Sequence, residues 1–214
     1  MTSRNVIPYT AFDVSQLQCT PARRNSFGGK TVLMNYQGGR ISVQTPNMRA
    51  PFGVNVFTDD TNGKESHSIS LNFPEDGEFE AKIRQMDEFV LKTALDNCED
   101  WFGKTMSEEV IKEFYRPTIT KDKTGKYPST YRVKIPFSRG ECVPEIYTMD
   151  REQVDISAIT NGSYVTLIVD FQSIWFVGKQ FGCSWRMQQA RVQPSGKLKG
   201  YSFADDPEAM EDSE

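Results

Sequence analysis

From Ser163 the sequence reads SYVTLIVDFQSIWFV to Val177, turns around Gly178 to Gly182, and runs on from Cys183 to Gln193 as CSWRMQQARVQ. β-Branched and aromatic residues dominate the first stretch, a composition that fits a pleated strand better than a helix. In the second, Trp185 and Met187 share one parity while Arg186 and Gln188 share the other. That spacing suits a core ring at 185 with an outward cation at 186, and it leaves Trp185 open between core and stacking platform. Around Trp175 the alternation breaks, which leaves the direction of its ring open. A hairpin of this length makes the class mainly β.

The chain before this hairpin agrees. Lys30 to Tyr36 (KTVLMNY) and Arg40 to Thr45 (RISVQT) flank Gln37-Gly38-Gly39 as a shorter hairpin would. Thr45 to Pro51 (TPNMRAP) reads as a loop between two prolines, and Val54 to Phe57 as a short strand. Ser66 to Phe73 (SHSISLNF) places Ile69, Leu71 and Phe73 on one face. Pro117 to Lys121 and Tyr131 to Pro136 read as strands around the loop Asp122 to Ser129 (DKTGKYPS). Between them the period changes. Asp76 caps a predicted helix with Phe79, Ile83, Met86, Val90 and Ala94 at helical spacing. A second helix follows, with Thr105 and Glu108 as a capping box and Val110, Ile111 and Phe114 on its apolar side. Short strands, a long terminal hairpin and a helical insertion predict an α+β Greek-key β-barrel rather than a doubly wound sheet.

Charge is unevenly spread. The formal total is −4, but Asp205, Asp206, Glu208, Glu211, Asp212 and Glu214 fall at the end with no basic residue among them. The rest carries 25 basic against 23 acidic residues, so a slightly basic body precedes a short acidic tail. Low hydropathy and uncompensated charge predict that this tail is disordered. No apolar run has the ~20 residues of a membrane span, and Met1 to Thr10 lacks a signal-peptide core. An intracellular location is the expectation. Four cysteines without a CxxC pair, and His67 as the single histidine, predict reduced thiols and no metal site or cofactor. No phosphate-binding glycine loop and no nucleophile–base pairing stand out, so the expectation is a binding module and not an enzyme.

Two features point to nucleic acid. Aromatic and basic residues interleave: Tyr127, Tyr131, Arg132 and Lys134 follow Lys121, Lys123 and Lys126, while Trp175, Phe176, Lys179, Phe181, Trp185 and Arg186 surround the terminal hairpin. Rings stack on unpaired bases for about 1–3 kcal/mol each and cations follow the phosphates, with little regard to base identity. Of these, Lys121, Lys123, Lys126, Tyr127, Tyr131, Arg132, Trp175, Lys179 and Arg186, with Arg40, are the candidate contacts, although each ring taken alone also suits a core. The second feature is the tail, which fits either a strand mimic on the basic groove or a peptide that recruits partners.

A resemblance supports this. Gly162 to Val192 has a Gly before a β run, the aromatic pair Trp175-Phe176, a turn reaching Phe181-Gly182, and a strand ending Gln189-x-x-Val192. The stretch resembles the last two strands of single-stranded-DNA-binding proteins from podophages and large nucleocytoplasmic DNA viruses. Thr45-Pro46 with Ala50-Pro51-Phe52-Gly53 is similar to the viral branch. The resemblance implies an OB-fold, a coating role in viral DNA replication and recombination, and an acidic tail that contacts replication proteins. The podophage tail closes on an aromatic residue, whereas this one closes on Glu214 and its only aromatic is Phe203, at the start.

The expected organisation is an N-terminal arm over 1–27, an OB-fold domain over 28–203 with a helical insertion at 76–115, and an acidic tail over 204–214. The expected partner is single-stranded DNA in a viral replication compartment, with self-association open. A virion structural or assembly protein, and an accessory factor for a viral polymerase, are the competing readings.

Overall fold

A computed structural model describes residues 6–24 and 29–193. The principal strands are β1 (Lys30–Val32), β2 (Ser42–Gln44), β3 (Met48–Ala50), β4 (Val54–Thr58) and β5 (Glu65–Asn72). Helices α1 (Glu78–Asp96), α2 (Cys98–Phe102) and α3 (Glu108–Phe114) follow. Then come β6 (Thr130–Ile135), β7 (Glu145–Thr148), β8 (Ser163–Val177) and β9 (Gln180–Gln193).

Five of these strands close a barrel. β5 runs antiparallel to β3 and β6, β9 antiparallel to β8, and β8 antiparallel to β3. The ring closes through a parallel pairing of β6 with β9. The order β3-β5-β6-β9-β8 is the OB-fold Greek key. β4 continues the line of β3 after a kink at Pro51–Gly53, and both pair with β5.

Alternation fills the interior. Ile69 and Leu71 from β5, Tyr131 and Val133 from β6, Val165 and Leu167 from β8, and Met187 from β9 are fully buried. A buried aliphatic side chain of this kind contributes about 1.5–3 kcal/mol. Trp185 is buried beside them, which makes it core rather than a stacking platform. α1 packs against the barrel with Phe79, Ile83, Met86, Val90 and Ala94, the spacing read from sequence. Phe79 meets Tyr131 edge to face at 5.6 Å. On the same buried face Asp87 accepts hydrogen bonds from the Tyr115 hydroxyl at 2.6 Å and the Thr118 N–H at 3.1 Å. Burial raises the Asp87 pKa, and those donors only partly oppose it.

Several expectations need correction. Thr45–Pro51 is not all loop, because Met48–Ala50 is a strand of the barrel. The hairpin of 30–36 with 40–45 is confined to a Tyr36–Gly39 bridge. β1 and β2 each pair with β8 instead, and Met34–Tyr36 pairs with Leu17–Cys19. The described part of the N-terminal arm is packed rather than free: Phe12 and Leu17 are buried, and Val6–Pro8 pairs with β2. Ser107 stands at the N-cap of α3 without a side-chain capping bond, and the Thr105 hydroxyl donates to Glu99 instead. α2 was not foreseen and buries Cys98 and Trp101. The terminal turn needs only Gly178-Lys179, since Gly178 takes a φ of +59° and Gln180 already pairs with Val177. Bulges at Ile168/Val169 and Phe171/Ser173 cause the broken alternation before Trp175. The acidic tail, 204–214, lies outside the described residues.

Candidate nucleic-acid interface

Cross-strand partners point to the same face of a sheet, so the register maps the barrel's outer surface. Tyr164 on β8, Arg49 on β3, Asn72 on β5 and Thr130 on β6 stand in one row. The next row pairs Ser70 with Arg132. A third sets Ser68, Lys134, Arg186 and Asp170 side by side, and Asn55 of β4 extends it beyond Ser68. The outer face of β5 and β6 is therefore a polar floor with cations from three strands.

The first row floors a groove of about 1040 Å³. Its walls include the kink at Pro51-Phe52, the Pro74-Glu75 turn, and the loop that carries Lys121, Lys123 and Tyr127. Phe52, Tyr127 and Tyr164 face the groove with 62%, 73% and 44% of their surface exposed, large values for aromatic side chains with no structural need to face water. Asp122 gives the loop its shape. Its carboxylate accepts from the Thr124 hydroxyl and from the Lys126 and Tyr127 N–H groups at 2.9 and 3.3 Å. The Thr124 hydroxyl above all holds that carboxyl below its usual pKa range.

Gly53 sets the other wall. Its φ is +62°, and a Cβ there would lie 3.0 Å from Asn161 Oδ1 and 3.2 Å from backbone atoms. In the cationic strip the Arg132 Nε donates to Ser68 Oγ at 3.2 Å, which fixes the guanidinium over the sheet. Desolvation, and then the charge of Arg132, lower the Lys134 pKa. A lysine whose charge is disfavoured by burial and by a neighbouring guanidinium suits an anion laid beside it.

The structure brings some predicted contacts together and separates others. Lys121, Lys123 and Tyr127 line the groove, Lys126 is exposed in the same loop, and Arg132 and Arg186 lie in the strip. Tyr131 is a correction: it is fully buried, in phase with Val133 and Ile135, and cannot reach a base. Trp175 is half-buried and lies outside the groove lining. Its ring packs over Gly182 and its Nε1 donates to the Cys183 carbonyl at 3.2 Å, so it braces the hairpin. Lys179 lines a separate pocket at the hairpin tip, and Arg40 is exposed just before β2, outside the groove lining. The six tail acids lie outside the described residues. Arg49, Phe52 and Tyr164 were missed, and Lys134 was read in the interleaved set but left out of the contacts. Parity gave a signal for Lys134 and Tyr164, which alternate with buried neighbours on their strands.

The four cysteines are free thiols. Burial pushes Cys183 up to about 12 and Cys19 up to about 11, which makes both poor nucleophiles.

Residues 59–205 match the family described as "Family of unknown function (DUF5871)". The chain belongs to that family. Over 173 residues, 76% of this DUF5871 chain, it is 24% identical to "Uncharacterized protein L291" of Acanthamoeba polyphaga mimivirus. It spans about a quarter of that relative's length, 27%. Among solved structures it is similar to the single-stranded DNA-binding protein of bacteriophage Enc34 in complex with single-stranded DNA. The TM-score is 0.51 at 14% identity, over 86% of this chain and 99% of that one. The same phage protein without DNA matches at a TM-score of 0.46 and 16% identity, over 90% and 99% of the two chains. At this identity the likeness to the DNA complex is one of fold, and it agrees with the OB-fold ring traced above.

Proposed function

We propose that this chain binds single-stranded DNA with little sequence preference, in a non-catalytic coating role during viral DNA replication and recombination. The observation that carries the reading is the groove on the outer face of the barrel, where exposed Phe52, Tyr127 and Tyr164 alternate with Arg49, Lys121 and Lys123. Rings that stack on any base beside cations that follow phosphates are what an unpaired strand requires. The strip of Arg132, Lys134 and Arg186 continues that path along β6 and β9. The fold shared with the Enc34 protein, which was solved with single-stranded DNA, supports the same reading. Replication proteins as partners of the acidic stretch, self-association on the strand, and a viral replication compartment belong to this proposal.

Fluorescence anisotropy of a labelled oligonucleotide tests it. Single strands should bind the full chain more tightly than duplex, and Arg49→Ala with Tyr127→Ala should remove most of that affinity. Failure of the full chain to bind any single strand at low salt would sink the proposal.

A further inference from the structure

A second concavity, of about 490 Å³, opens at the tip of the β8–β9 hairpin and shares no lining residue with the groove. Phe102, Met106, Phe114 and Phe176 form its apolar wall. The wall is braced from behind: Trp101 meets Phe176 edge to face at 5.5 Å, and Phe176 stacks on Phe181 at 6.0 Å. Among the described residues, three lysines rim the opening, Lys30, Lys104 and Lys179, and none of the lining is acidic. The Lys30 ammonium donates to the Asp100 and Trp101 carbonyls at 2.5 and 3.0 Å, which holds one charge in place. Lys104 and Lys179 are exposed, and no carboxylate pairs with them among the described residues. The groove differs in charge, because Glu75 and Asp122 stand there among Arg49, Lys121 and Lys123.

We propose that this lysine-rimmed pocket is the docking site of the chain's own acidic stretch, with the Met210 side chain against the aromatic wall and Glu208, Glu211 and Asp212 on the lysines. Charge complementarity selects the occupant, and the acidic stretch carries six acids and no base from Asp205 onward. Chemistry selects the residue that enters: a thioether is flexible and makes favourable contacts with aromatic rings. Length permits it. β9 runs from the pocket at Gln180 to Gln193, at most about 44 Å at roughly 3.4 Å per residue. An extended chain from Gln193 to Met210 covers up to about 58 Å at roughly 3.4 Å per residue. Docking here keeps the acids off the groove, and the assignment does not depend on what the groove binds.

Hydrogen exchange of the full chain, read by mass spectrometry without nucleic acid, tests this. Amides of 101–106 and 176–180 should exchange at least about threefold more slowly in the wild type than in a variant with Met210→Ser, Glu208→Gln, Glu211→Gln and Asp212→Asn. Raising salt to about 0.5 M should erase the difference, since surface charge is screened there. Lys104→Glu with Lys179→Glu should lose the same protection, and adding Glu208→Lys with Glu211→Lys should restore it. Slowed exchange at 49–52 and 121–128 instead would overturn the proposal and place the acids in the groove. No difference anywhere, or protection that grows with protein concentration, would also overturn it.

Discussion

Tyr127 and Trp175 are both aromatic residues beside lysines, yet their surroundings assign them opposite roles. Tyr127 is 73% exposed on the groove wall. Tyr127→Ala should weaken single-strand binding by about 1–3 kcal/mol and leave thermal stability unchanged. Trp175 is pinned by its bond to the Cys183 carbonyl, so Trp175→Ala should lower the melting temperature by losing roughly 2–3 kcal/mol of packing. Calorimetry beside anisotropy separates the two. Asp87 makes a residue-scale prediction in pH. Its folded pKa is raised by burial above the unfolded value, so its contribution is fully present below the ordinary Asp range and is lost as pH rises through the folded value. Asp87→Asn, which keeps an acceptor for Tyr115 and Thr118, should abolish that decline in denaturant titrations repeated across pH. Single side chains were legible where spacing was unambiguous, as along α1, whereas parity left Trp185 open. Tyr131 was misread because its basic neighbours were weighed above its phase with Val133 and Ile135.

Each wall of the groove is an element held by one small device. At the first, Asp122 gathers the Thr124 hydroxyl and the N–H groups of Lys126 and Tyr127. Asp122→Ala should leave the global melting temperature in place and weaken strand binding several-fold, because the loop no longer presents Tyr127 in one geometry. At the second, Gly53 sits at a φ of +62° against Asn161. Gly53→Ala should cost about 1–2 kcal/mol through the left-handed backbone and should weaken binding through Phe52 as well. Equilibrium unfolding and anisotropy on each variant check both. Elements with long periodic signals, α1 and the β8–β9 hairpin, were legible in the sequence. β3 was not, because three residues are too few to show an alternation and the flanking prolines imitate a loop. Since β3 supplies Arg49 and leads into Phe52, that one omission hid half of the groove.

Over the whole molecule, the proposed function makes the balance of basic body and acidic stretch set how single-strand binding responds to salt. The barrel class followed from the count and order of strands, whereas closure through β6 and β9 rests on a parallel pairing between strands far apart in sequence, which no local pattern records. Closure places Arg186 beside Lys134 and joins the strip to the groove. If Arg49, Lys121, Lys123, Arg132, Lys134 and Arg186 each neutralise one phosphate, log K should fall against log salt with a slope near −4, at about 0.7 per contact on a single strand. Removing any one cation should make the slope shallower by about 0.7. The acidic stretch then distinguishes two arrangements. Docked at the hairpin tip, it acts on the groove only through the distant field, which falls off over about 8 Å at physiological salt. A chain ending at Gly200 should bind single strands slightly more tightly at low salt and equally well at about 0.15 M. Direct occupation of the groove would instead leave an advantage to the shortened chain at that ionic strength, because a displaced competitor contributes wherever its own contacts survive.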